Sequence, residues 1–372
     1  MGISGIVLSQ KEESAFFELL KAGIWGSEIK HLCPFPLSHD EWLNIYRFSC
    51  AQTVQGFVFK GLDCLPNNFF PPEDLTACWL AENLRIENYN NKTNREIIGL
   101  YELFGSYNIL PVLKKGQSVA ALYQYPLSRV CGDVDLYFPV KDKLLLANSV
   151  IRDKGISVQH HKHDGSYAYI WHNIPVEHHI MLTDLRNPFK NGYLHRLETE
   201  KGYNYMDIAY VDKTINVPVP SPLLNILMLN IHIMSHVFLI GIGLRQLCDI
   251  ALAYYRFLGE YDGEELKHVY KNVGILKWSA LLHSFLTAYL GLSKECIPYK
   301  EENVSPVLLY QNIMQSGNFG QNLPGRTNAM RSVFTEKMHT IKTLYRNRKI
   351  TLRYAPFEAL CWFIARTYGQ FE

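Results

Sequence analysis

The chain has 372 residues, 48% of them hydrophobic and 13% aromatic, which is enough for a sizeable core and unlike a disordered chain. Its 37 basic and 35 acidic residues leave a net charge of +2, so no global field draws it to nucleic acid or an anionic membrane. None of the eight cysteines forms a Cys-x-x-Cys pair, which excludes a zinc ribbon or dithiol motif and fits a reducing compartment.

The opening "MGISGIVLSQKEES" lacks a basic n-region and has only a short apolar run. No signal peptide is read there, and a cytoplasmic location is expected. Ser9–Glu12 and Ser38–Glu41 have the spacing of capping boxes ahead of amphipathic runs. Pro71 and Pro72 precede a long helical pattern reaching about Tyr107, so three helices, the last one long, are expected over residues 1–107.

The texture changes at Ile109–Lys114, a short apolar run bounded by Asn108 and Gly116 that predicts a buried strand. "QSVAALYQY" follows with helical spacing until Pro126. A second strand carries Asp133 and Asp135, and "KDKLLLANSVIRDKG" reads as an amphipathic helix closed by Gly155. Residues 156–182 alternate like antiparallel strands, with turns at Asp164-Gly165 and Asn173–Pro175; "YMDIAYVDKTINVPV" predicts a further hairpin. From Ser221 the pattern is helical. Its most apolar part, 222–257, is interrupted by Asn225, Asn230, His232, Ser235 and His236 and falls short of the ~18 uninterrupted residues a spanning helix wants. The expectation is an α+β protein, not a membrane one: a small mixed sheet in a core over 108–220, flanked by helical regions over 1–107 and 221–372.

Aspartate is depleted from strands, and an unpaired buried carboxylate is costly. Asp133 and Asp135 nevertheless stand among Val134, Leu136, Tyr137 and Phe138. Two apart on a strand, they share a face with Cα atoms roughly 6.5–7 Å apart and repel each other unless a cation intervenes. That predicts a divalent metal, Mg²⁺ or Mn²⁺, bound together with substrate phosphates. Solvated aspartates on an open strand face, or salt bridges to nearby Lys or Arg, are the bland alternative, and the apolar neighbours argue against it. Asp-x-Asp also serves nucleotide-sugar glycosyltransferases and haloacid-dehalogenase-like phosphatases, although the latter want threonine or valine where Tyr137 stands. Before the pair, the turn Lys114-Lys115-Gly116-Gln117-Ser118 offers backbone N–H groups to an anion at a helix start.

Together, "VLKKGQSVAALYQYPLSRVCGDVDLYF" resembles the nucleotidyltransferase superfamily. More narrowly, it is similar to a group of uncharacterised bacterial nucleotidyltransferase-like proteins with a Lys-Gly turn, a tyrosine, an arginine and a Gly-Asp-x-Asp-Leu strand. Tyr123, Arg129, Gly132, Asp133, Asp135 and Leu136 carry the match; the turn reads Lys-Lys-Gly where that group has Leu-Lys-Gly. The resemblance implies a third carboxylate on a neighbouring strand, for which Glu177 is the candidate, with His178 as its companion. It implies Asp133, Asp135 and Glu177 as catalytic residues and metal ligands, and Lys115, Gly116, Gln117, Ser118 and Arg129 around the nucleotide. Arg245 and Asp249, four apart, match the group's helical half and are expected to anchor a helix.

His232 and His236 also stand four apart, but no third ligand declares itself, and packing or a hydrogen-bond site is the expected role. His161 and His163 share a strand face that reads as a solvated edge, and the basic segment 337–354 reads as a solvated helix face. The expected activity is transfer of a nucleoside monophosphate from an NTP to a hydroxyl, with pyrophosphate released. The acceptor is left open among a small molecule, a protein side chain and an RNA end, with nucleic acid disfavoured. The alternative is a catalytically silent relative that binds nucleotide or protein.

Overall fold

The structure is a computed structural model, and it describes residues 6–161, 165–183, 185–299, 304–316 and 342–368. Both capping boxes form: Ser9 and Glu12 open α1 (Gln10–Trp25), and Ser38 and Glu41 open α2 (His39–Ala51), each pair exchanging side-chain-to-backbone hydrogen bonds. An unanticipated short helix, α3 (Gln55–Leu62), precedes the long α4 (Glu73–Gly105). Glycine explains how α1 and α3 meet. A Cβ on Gly23 would lie 1.8 Å from the Phe57 carbonyl oxygen, and one on Gly61 would lie 2.1 Å from that of Leu19, so the backbones touch.

A five-stranded sheet follows, in the order β1-β2-β5-β4-β3. Its strands are β1 (Val112–Leu113), β2 (Val134–Tyr137), β3 (Gln159–His161), β4 (Ser166–Trp171) and β5 (Ile174–His179), with α5 (Gln117–Ala120) after β1 and α6 (Lys141–Asp153) after β2. Only β2 and β5 run parallel; the other neighbours are antiparallel. The turn between β4 and β5 falls on His172 and Asn173, both at positive φ, one residue earlier than the sequence suggests. Asp164 and His163 lie outside the described residues. The helix α7 (Pro188–Lys201), which the sequence pattern does not announce, leads to the hairpin β6 (Tyr203–Tyr210) and β7 (Lys213–Pro220).

Period-two alternation divides the sheet between two cores. Leu113, Val134, Leu136 and Val176 pack with Ile97, Leu100 and Phe104 of α4 and with Leu144 and Ile151 of α6. Val112 and Tyr137 point the other way, into a larger core of helices. That core joins α1–α3 to α8 (Pro222–Leu239), α9 (Leu244–Arg256), α10 (Gly263–Val273) and α11 (Leu276–Leu290), and continues to α12 (Val307–Ser316), α13 (Arg348–Tyr354) and α14 (Pro356–Tyr368). N- and C-terminal helices interlock: Trp25 Nε1 donates to the Leu290 carbonyl at 2.6 Å, and Gln52 Oε1 accepts from Leu244 N, at the start of α9, at 3.1 Å. By length and composition α8 is apolar enough to cross a membrane; here it lies at the centre of the helical core with 83% of its residues buried.

Candidate active site

Parallel pairing of β2 with β5 sets Asp135 directly opposite Glu177. His179, two residues further along β5, shares that face. Its Nε2 lies 2.7 Å from Asp135 Oδ1 and 3.6 Å from Glu177 Oε2. One donor atom from each of Asp135, Glu177 and His179 lies within 4.8 Å of the others, and two carboxylates with one imidazole form a donor set suited to a divalent cation. His178, the expected companion of Glu177, faces the opposite way. It is fully buried between Phe104 and Phe138 and bonded to Asn148 Oδ1 at 2.8 Å and to the Tyr169 hydroxyl at 2.9 Å.

Asp133 lies one residue before β2, half-buried beside Asp135. The negative charge of Asp135, followed by burial, pushes the Asp133 carboxyl up. Asp135 itself is only 2% exposed. Burial alone would raise its pKa, but the Lys115 charge and the His179 hydrogen bond outweigh it and hold the carboxyl well below the usual range. Lys115 Nζ stands 3.3 Å from Asp135 Oδ2; the charges of Asp135 and Asp133 overcome its burial and keep it an ammonium. Burial and the Lys114 charge drive His179 down to about 4, so near neutral pH it is an uncharged donor to Asp135.

These groups face a cavity of about 530 Å³, within the range of small-molecule sites. Lys115, Gly116 and Arg129 border it, whereas the side chains of Gln117 and Ser118 turn inward. Gln117 Nε2 donates to Asn90 Oδ1 at 3.1 Å, and Ser118 Oγ donates to the Lys115 carbonyl at 3.4 Å. Gly116 has φ +66°, and a Cβ there would come 3.1 Å from the Asp133 carbonyl oxygen, so the turn can lie close under the aspartates only with glycine.

The expected phosphate ligand Arg129 has a defined protein partner. Its Nε and Nη2 donate to the two oxygens of Asp249 at 2.7 and 2.6 Å, and the Tyr123 hydroxyl donates to the same carboxylate at 2.7 Å. Tyr123 stacks on Phe57 with ring centroids 4.3 Å apart. The tyrosine and arginine of the sequence motif thus form one buried network with Asp249, fixing the segment before β2 against α9. Arg245, four residues before Asp249, does not pair with it; its Nη1 donates to the Val130 carbonyl.

A model of an uncharacterised nucleotidyltransferase family matches residues 38–291, more than half of the chain. The chain belongs to this family. No curated protein and no solved structure matches it. Membership in the nucleotidyltransferase family accounts for a generic nucleotidyl-transfer role, and the match spans β1–β7, the strands among the described residues, and the helices α8 and α9 that wall the cavity. Pattern reading missed His179, although the alternation that pairs Asp133 with Asp135 also pairs Glu177 with His179. It also left unused His232 and His236, which line the same cavity from α8. Trp362 of α14 borders the cavity as well, with the Arg186 guanidinium 4.5 Å from its ring. Glu358 accepts hydrogen bonds from the backbone N–H groups of Arg186 and Asn187, tying α14 to the segment after β5.

Proposed function

We propose that this chain moves a nucleoside monophosphate from an NTP to a hydroxyl acceptor and releases pyrophosphate. The convergence of Asp135, Glu177 and His179 next to the Gly116 turn supports this reading most strongly. Asp135, Glu177 and His179 would hold one divalent cation, Mg²⁺ or Mn²⁺, with Asp133 and Asp135 sharing a second. Such ions neutralise phosphate charge and favour in-line displacement at phosphorus. The chain's own residues then have separate tasks. Lys115 offsets negative charge beside Asp135, and the Gly116 turn brings backbone close under the phosphate position. Arg129 and Asp249 hold that turn in place, since Arg129 Nη1 also reaches the Gly116 carbonyl at 3.4 Å. The acceptor oxygen bonds to the α-phosphorus as the bond to the β-phosphate oxygen breaks, and the hydroxyl proton passes to a carboxylate, Glu177 being the more exposed of the β2–β5 pair.

The test is incubation of the purified chain with α-labelled NTP and Mn²⁺, together with a panel of small hydroxylated molecules, protein and RNA. Label retained on an acceptor, with pyrophosphate produced, is the expected result. NTP binding without any transfer would favour the silent relative, and stabilisation by UDP-sugars alone would favour a glycosyltransferase.

A further inference from the structure

The cavity is unevenly charged. Lys114, Lys115, Asp133, Asp135 and Glu177 enter it from the turn and the strands, and Arg129, Arg186, Arg245 and Asp249 border it from the loops and α9. The wall formed by α8, by contrast, contains no Asp, Glu, Lys or Arg. All residues of α8 are buried except His232, Ser235 and His236. These three follow i, i+3, i+4 spacing, so they share one helix face, and all three line the cavity. The imidazole rings meet edge to face with centroids 4.2 Å apart, and Met228 and Leu239 supply hydrocarbon beside them. Burial, reinforced by the Lys115 charge and at His236 also by that of Arg245, drives His236 down to about 3 and His232 well below its ordinary value. Each ring is therefore neutral near pH 7, with one N–H to donate and one lone pair to accept.

A ligand with a highly charged end and a flat, uncharged end matches this division. We propose that the His232–Ser235–His236 face of α8 receives the nucleoside end of the NTP, base or ribose, while its phosphates lie towards the turn and strand carboxylates. Neutral imidazoles and a hydroxyl can pair with the edge of a base or a sugar hydroxyl, and the adjacent hydrocarbon suits the apolar faces of a base. The assignment rests on the nucleotidyltransferase reading.

The test measures dissociation constants from thermal unfolding shifts in Mn²⁺ for ATP, GTP, CTP and UTP, their 2′-deoxy forms, and tripolyphosphate as a probe of the phosphate end alone. Wild type is expected to bind at least one NTP more tightly than tripolyphosphate. The double variant H232A/H236A is expected to lose about tenfold or more of that preference while binding tripolyphosphate within about twofold of wild type. Because α8 is a core helix, H232Q, H236Q and S235L are measured alongside, each first shown to unfold cooperatively without ligand; S235L fills the face and should exclude the nucleoside. Losses that differ among the four NTPs place the base there, and equal losses that shrink for the 2′-deoxy forms place the ribose. Wild-type NTP affinity in every folded variant overturns the proposal. So does transfer lost at unchanged NTP affinity, which would give this face to the acceptor. Failure of wild type to bind tripolyphosphate brings down the nucleotidyltransferase reading itself, and this assignment with it.

Discussion

His178 and His179 are adjacent imidazoles with opposite fates, because neighbouring strand residues point to opposite faces. His179 joins Asp135 and Glu177, so H179A should weaken Mn²⁺ binding at least on the order of 10–100-fold, measured by calorimetric titration. Mg²⁺ binding should fall less, since imidazole suits the softer ion. His178 carries a pH effect instead. Burial, then the charge of His179, lowers it from an ordinary value of 6.5 to about 3, so the unfolded chain binds a proton that the folded chain refuses between those values. Stability therefore rises with pH across that window and is lost as pH falls from 6.5 towards 3. Urea midpoints at a series of pH values should show the decline, and H178L should make it shallower, with His179, His232 and His236 contributing the remainder. The same variant should lower stability at neutral pH by about 1–3 kcal/mol, since Asn148 and Tyr169 lose a buried partner. An acid loss as steep in H178L as in wild type would assign the effect to other groups.

Between elements, the decisive joint is the Tyr123–Arg129–Asp249 network. Asp249→Asn removes the charge opposite a guanidinium that is 5% exposed, and breaking a buried pair in this way costs about 3–5 kcal/mol. Equilibrium denaturation should show that loss, and replacing Arg129 by Met together with Asp249 by Leu should restore much of it. Gly116→Ala belongs to the same scale. Its positive φ and the nearby Asp133 carbonyl predict a cost of about 1–3 kcal/mol and a larger proportional loss of transfer than of stability. Much of this scale was legible in the sequence. Capping residues announce α1 and α2, the two aspartates mark β2, and the spacing of Arg245 and Asp249 reads as an anchor. The partner of Asp249, however, proved to be Arg129, 120 residues away, which no local spacing reveals. The helix α7 was missed because only Leu194, Leu197 and Glu198 of its fourteen residues are buried, leaving no apolar stripe to read. The His232–His236 pair was visible, but its outlook onto the carboxylates depends on how α8 docks, which is a property of the whole fold.

Across the molecule, one helical core passes from α1 through α11 and continues towards the C-terminal helices, and the sheet leans on it through Val112 and Tyr137. An excised fragment of residues 108–220 would expose that face, and it is expected to lack cooperative thermal unfolding while the full chain shows it. The arrangement also explains why the N-terminal helices matter to a site they do not enter. A Cβ on Gly56 of α3 would lie 2.1 Å from the Ser128 carbonyl oxygen, so α3 presses directly on the loop that carries Arg129.

The contact between Arg186 and Trp362 has a practical consequence. Of the chain's six tryptophans, Trp362 is the one that borders the cavity. An incoming phosphate chain would compete for the guanidinium resting on that indole and alter the polarity around it. Intrinsic emission should therefore track occupancy with no dye attached, and W362F should silence the signal while the other five indoles continue to glow.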